Sequence, residues 1–389
     1  TLGAESLPKR THRPDIQAFR ALAVLSVVIF HLWPKRLTGG FVGVDVFFVI
    51  SGFLITQHLL RDVAKGTFNV IAFWARRIRR LLPASLTVLF FTAIGILLVA
   101  PRDLWPTWIS EIGSSAAYFQ NWALANNAVD YLAADNAASP TQHFWSLSVE
   151  EQFYFALPIL IWLLVLIVRG KKFATISKSI IGMLLVIVLA SLFAGIYLTY
   201  SEPVSSYFFT QVRAWQFGAG ALLAAAWSHV PESRGYKYSS FITGIVLIIA
   251  SAFLLNGAMA YPGYLALIPT VGAVLALSSD IEHGTIAKML AWRPIQFIGD
   301  VSYSIYLWHW PLIILLPMVI GNLTTISKVS IIAVSLGLAW LSQKYIEQPF
   351  INFGRREGAK NYRAITGMAV ACAALLVSSM TVSAQADQS

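Results

Sequence analysis

Uninterrupted apolar runs of about twenty residues recur along nearly the whole chain, and no other feature constrains its fold as strongly. Coiled into a helix, a run of that length matches the ~30 Å hydrocarbon core of a bilayer. Lipid offers the backbone no hydrogen-bond partner, so a spanning segment has to satisfy its own peptide groups, as a helix does. The other solution, a β-barrel, is written as alternating segments of about ten residues. The runs here are continuous and longer. Of 389 residues, 57% are hydrophobic and 12% charged, and the mean hydropathy is +0.68, which excludes an ordinary soluble domain. The sequence therefore reads as an all-α polytopic membrane protein. About eleven transmembrane helices are expected, near 16–33, 41–60, 81–100, 144–168, 179–199, 206–228, 240–256, 263–279, 295–319, 327–345 and 364–384.

Basic residues orient these spans, because cytoplasmic loops retain Lys and Arg. With the N-terminus inside, 23 of the 28 basic residues fall on the cytoplasmic side. Lys35, Arg36, Arg102 and Lys328 fall outside, and Arg213 lies within a span. An odd number of spans puts the C-terminus on the extracytoplasmic side. The formal charge of +10 is then a signature of topology, and no nucleic-acid partner is expected. The lone Cys372 permits no intrachain disulfide. The basic leader "TLGAESLPKRTHRPD" runs straight into the first span with no small-residue cleavage site, so that span is read as retained. The expected organisation is a polar cytoplasmic segment (1–13), a ten-helix membrane domain (14–350), a basic cytoplasmic loop (351–363), an eleventh helix (364–384) and an outer tail (385–389). The polar stretch 101–143 carries Asp103, Glu111, Asp130 and Asp135 among Asn and Trp. Carbohydrate sites combine such side chains, and so do interfacial loops.

A charge inside a bilayer costs roughly 2.5–3.5 kcal/mol on insertion scales, so each one needs a reason. The first run, "FRALAVLSVVIFH", carries Arg20 and His31. Eleven residues make three helical turns plus about 20°, so both lie on one stripe, about 16 Å apart. They are either interfacial residues at the two ends of a span or parts of one site. The next run, "GGFVGVDVFFVISGFLIT", places Asp45 at a depth similar to His31, where it could orient the imidazole, cap its helix or pair with Arg36. In "FWARRIRRLLP", Arg76, Arg77, Arg79 and Arg80 cluster at the inner surface, suited to anionic lipid or to phosphate groups. "QHFWSLSVEEQFYFALP" carries His143, Glu150 and Glu151. "FFTQVRAWQFGAGALLA" carries Arg213 and Gln216, with Glu150 the natural carboxylate for Arg213. "GDVSYSIYLWHWP" carries His309, where a structural histidine is the commoner case. The histidines are scattered over different spans, and no metal-ligand spacing is visible.

Taken together, these blocks resemble the acyltransferase-3 family of membrane O-acyltransferases. The Arg20–His31 spacing resembles its first signature. "GFVGVDVFFVISGFLIT", "FWARRIRRLLPA", "HFWSLSVEEQFYFALP", "RAWQFGAGALLA", "VSYSIYLWHWPLII" and "YIEQPF" resemble its successive blocks, in order, over about residues 13–350. Gln216 departs from the pattern, which usually shows a glutamate after the tryptophan. The "SYSIYLWHWP" block and an eleventh span are similar to the branch in which an SGNH-like domain follows the membrane part. The resemblance implies transfer of an acyl group, usually acetyl, from cytoplasmic acetyl-CoA to a hydroxyl of a cell-surface glycan such as lipopolysaccharide O-antigen or peptidoglycan. It implies a bacterial cytoplasmic membrane location. It further implies His31, Asp45 and Glu150 as catalytic residues and Arg20, Arg76, Arg77, Arg79 and Arg80 as donor-binding residues. His143, Arg213, His309 and Ser51 are implied as supporting residues on the acceptor side, with no metal. A transporter or flippase would account for the same spans and buried charges, and a scaffold for a hydrolase-like partner is a third reading.

Overall fold

The computed structural model describes residues 13–131, 138–356 and 367; within them every regular element is helical and no strand occurs. In chain order the helices are α1 (Pro14–Leu32), α2 (Gly43–Ala64), α3 (Val70–Val99), α4 (Trp105–Ala116), α5 (Gln120–Tyr131), α6 (Phe144–Ile167), α7 (Phe173–Ser201) and α8 (Thr210–Ala225). There follow α9 (Arg234–Leu254), α10 (Leu267–Ser278), α11 (Gly284–Leu290), α12 (Arg293–Asp300), α13 (Ser302–Leu315), α14 (Pro317–Ile320), α15 (Thr325–Ser342) and, after a π-helical turn at Gln343–Glu347, α16 (Gln348–Arg356). Eight stretches among the described residues are long and apolar enough to cross a bilayer, and the chain is an all-α polytopic membrane protein.

Three of the expected spans are shorter than foreseen, the ninth because 293–300 forms the separate α12 and the apolar stretch begins at Ser302. The sixth is the 16-residue α8, and the eighth is the 12-residue α10. The third is longer: α3 runs for 30 residues and begins at Val70, so the four arginines ride on a helix and not on a loop. At 1.5 Å per residue α3 is about 45 Å long, some 15 Å more than the hydrocarbon core, and the arginine-bearing first turns can supply that excess. The expected eleventh span (364–384) apart from residue 367, the outer tail and nearly all of the N-terminal segment lie outside the described residues, as does most of the basic loop.

The chain divides into two compact units. The first combines residues up to 70 with 152–300. Here α2 packs against α8 at van der Waals limits: a Cβ on Gly52 would lie 1.9 Å from the Phe217 carbonyl oxygen, and one on Gly220 would lie 1.9 Å from that of Val49. Lipid is as apolar as leucine, so helices in a bilayer associate through such close approach more than through hydrophobic burial. Phe217 stacks on Phe48 and on Phe153, with ring centroids 4.3 and 4.7 Å apart. A core of Phe19, Val46, Ile50, Phe53, Ile248 and Leu277 joins α1, α2, α9 and α10. One end is clasped by Arg13, which donates to Asp15 (2.5 Å) and to the Leu277 carbonyl (2.7 Å), and pairs with Asp280 (3.2 Å).

The second unit comprises residues 71–151 and those from 301 onward. The Tyr303 hydroxyl donates to the Leu81 carbonyl (3.0 Å), tying α13 to α3. Trp308 Nε1 donates to Ser342 (2.9 Å), and Ser304 donates to Glu347 in the π turn (2.5 Å), tying α13 to α15 and its extension. The polar stretch after α3 is folded as α4 and α5. Glu111 of α4, 8% exposed, accepts from Gln120 (2.6 Å) and from Ser139.

Candidate active site

α1 is continuous from Pro14 to Leu32, with proline at its first position and Asp15 in its first turn. Arg20 and His31 therefore share one helix, as the spacing required. Both are half-buried; Arg20 Nη1 donates to Gln17 Oε1 at 3.2 Å, and the His31 ring lies 5.4 Å from that of Phe30.

A turn spanning 33–42 reverses the chain into α2, whose first turn carries Asp45, 1% exposed. Arg213, also 1% exposed, reaches it from the first turn of α8, with Nη1 3.0 Å from Oδ1. Gln216, one turn further along α8, donates its amide to the same oxygen. The Tyr261 hydroxyl, from the loop between α9 and α10, donates to Oδ2 at 2.5 Å. The guanidinium also lies over two rings: its carbon is 4.5 Å from the Tyr207 ring centroid and 5.5 Å from that of Tyr261, and Nε donates to the Tyr207 carbonyl (3.2 Å). Burial first, and then the Asp45 carboxylate, push the Tyr261 phenol well above its ordinary range, so it remains a hydrogen-bond donor. Such a buried ion pair holds together only when further hydrogen bonds satisfy both partners, and here both oxygens of Asp45 are engaged.

This arrangement corrects one expectation. Asp45 does not direct its carboxylate to His31: Arg213, Gln216 and Tyr261 take both of its oxygens. Arg213 finds a carboxylate partner in Asp45. The departure at Gln216 also gains a reason, since an amide donates to a carboxylate where a glutamate would repel it. Tyr261 and Tyr207 were not foreseen. They lie in short connecting segments with no periodicity to flag them, and aromatic residues are common at membrane interfaces.

The second unit gathers its own group. His143, one residue ahead of α6, and His309 of α13 have ring centroids 5.7 Å apart, although the sequence scattered them. His143 Nε2 lies 3.2 Å from the Leu307 carbonyl. His309 Nδ1 faces the carbonyls of Tyr306 (2.7 Å) and Ile305 (3.2 Å), so that nitrogen carries the proton. Tyr306 and Ser146 share a hydroxyl contact of 2.6 Å beside them. Glu150 lies half-buried on α6. On α3, Arg76 and Arg80 are exposed, Arg77 is half-buried and Arg79 is buried, so the four guanidiniums do not form one uniform surface. Ser51 is half-buried on α2. Among the described residues no group of three or more metal-ligating side chains occurs.

The comparisons with known proteins agree with this architecture. The acyltransferase-3 family, described as an acyltransferase domain, matches residues 13–343. "Putative peptidoglycan O-acetyltransferase YrhL" of Bacillus subtilis (strain 168) is 32% identical over 363 residues, 88% of this chain and 56% of that protein. "Peptidoglycan O-acetyltransferase OatA" of Listeria monocytogenes serovar 1/2a is 31% identical over 373 residues, 91% of this chain and 59% of that protein. The chain thus spans less than two thirds of the length of these relatives. No solved structure matches it significantly. With the family matched over most of its length, the chain belongs to the acyltransferase-3 family of membrane acyltransferases.

Proposed function

We propose that the chain transfers an acetyl group from cytoplasmic acetyl-CoA to a hydroxyl of an extracytoplasmic cell-surface glycan, in a bacterial cytoplasmic membrane, with its N-terminus inside. The names of its relatives favour a glycan of the peptidoglycan class. The single observation that carries this reading is α1: one unbroken helix holds Arg20 and His31 on a common stripe about 16 Å apart, so an imidazole at one depth stands in register with a cation at another.

In this reading Arg76, Arg77, Arg79 and Arg80 hold the phosphates of the donor, assisted by Arg20, because guanidinium groups grip phosphate oxygens in pairs. His31 accepts the proton of the acceptor hydroxyl as its oxygen attacks the thioester carbonyl. The carbon–sulfur bond breaks, and the departing thiolate takes that proton to give free CoA and an O-acetyl ester. In a two-step variant the imidazole itself receives the acetyl group and passes it on. Asp45, held by Arg213, supports His31 from a distance instead of touching it. Glu150, His143, His309 and Ser51 serve the acceptor side, and no metal is called for. An SGNH-like domain would act after the membrane part, on the outer side.

The test is incubation of the purified full chain with labelled acetyl-CoA and glycan fragments. Release of CoA with label on the glycan is expected, and His31→Ala should reduce transfer by at least 10³-fold with folding intact. Retained transfer in that variant would remove His31 from the mechanism. Export without consumption of acetyl-CoA would instead establish a transporter. Omitting the glycan separates the two routes, since a stable label on His31 is a product of the two-step variant alone.

A further inference from the structure

Asp45 and His31 lie on neighbouring helices without sharing a hydrogen bond, yet an unbroken train of rings leads from one to the other. Tyr261 is 7% exposed, and its hydroxyl is fixed at one end by Asp45, whose other oxygen is fixed by Arg213 and Gln216. At the other end its ring meets Phe41 edge-on, with centroids 4.8 Å apart and planes at 69°. Phe41 meets Phe30 edge-on at 5.5 Å and 76°. Phe30 lies 5.4 Å from the His31 imidazole. The backbone under these rings has no slack. A Cβ on Gly40, next to Phe41, would come within 2.4 Å of the Ser26 carbonyl oxygen and 2.6 Å of Phe30 Cβ. Packed interiors transmit displacement because they contain few voids into which a ring could relax.

We propose that Tyr261 is a positioning residue for His31, acting through Phe41 and Phe30 and anchored by its hydrogen bond to Asp45. The Asp45–Arg213 pair would then set the imidazole without touching it. The kinetic consequence rests on the acetyl-transfer reading above, but the mechanical coupling does not, and the experiment separates them.

Tyr261→Phe removes only the hydroxyl, and Tyr261→Leu removes the ring. In the purified full chain, the rate of His31 modification by diethyl pyrocarbonate is followed by peptide mass spectrometry, with the exposed His229 and His283 as internal controls. A change of at least threefold at His31 is expected in both variants, with the controls unchanged. Phe41→Leu should give a similar change, and the double variant with Tyr261→Leu no more than either single one, because neighbours on one path are not additive. In the transfer assay kcat should fall about tenfold with KM for acetyl-CoA within twofold, as a misplaced reacting group requires. A merely structural role would lower thermal stability and leave the His31 rate and kcat of the folded protein alone, which would overturn the proposal. Should the Tyr261 variants not fold, Phe41→Leu alone decides: an unchanged His31 rate overturns the coupling and a changed one supports it. A wild-type chain without transfer activity whose His31 rate still responds would keep the coupling and remove the transfer reading. Transfer with an unresponsive His31 would do the reverse.

Discussion

In the first unit Asp45 and Arg213, each 1% exposed, form a buried ion pair. Removing one partner of a buried ion pair leaves the other charge stranded in a medium that cannot solvate it, at a cost of about 3–5 kcal/mol. Removing both leaves only a packing defect. Asp45→Leu and Arg213→Met are therefore each expected to lower the thermal unfolding midpoint in detergent sharply, and the double variant is expected to regain a large part of the loss. Equal, additive losses would show that the two groups are stabilised separately. Both residues were legible in the sequence, because a charge within an apolar run announces itself. Their pairing was not, since depth alone admitted His31 and Glu150 as partners, and 168 residues separate the pair. The two tyrosines around Arg213 left no signal at all.

At the scale of elements, close approach decides which helices can be neighbours. Gly52→Ala would force a Cβ to within 1.9 Å of a carbonyl on α8, so loss of the folded, monodisperse protein is expected on size-exclusion chromatography. Gly337→Ala on α15 meets nothing within 4 Å and should be neutral or stabilising by up to about 1 kcal/mol, in line with helix propensity. Helix existence was readable from the apolar runs, whereas the start of α3 was not, because its arginines look like loop until the helix is seen to outrun the bilayer. The folding of the polar stretch into α4 and α5 was equally hidden. There, burial pushes the Glu111 carboxyl above its ordinary value of 4.5, despite the hydrogen bonds from Ser139 and Gln120 that oppose the shift. The folded state then holds the proton more tightly than the unfolded state. Its contribution to stability is complete below the ordinary carboxylate range and is lost as pH rises through the raised folded value. A thermal midpoint that declines upward from about pH 4.5 in the wild type, and less steeply in Glu111→Gln, is the expected result.

For the whole molecule, the distribution of basic residues makes a directional statement. With Cys372→Ser as background, a cysteine at Lys65 is expected to react with an impermeant maleimide only in inverted vesicles, and one at Lys35 only in spheroplasts. The opposite pattern would invert the orientation and with it the assignment of the donor side. The family and the helical class were both legible from ordered sequence blocks and run lengths. The division into two units was not, because each is assembled from segments distant in sequence. That discontinuity reaches into biosynthesis. At about 5–20 residues per second, ribosomes deliver Arg213 on the order of 10–30 s after Asp45. Until α8 emerges, Asp45 lacks the partner that holds it in the folded chain.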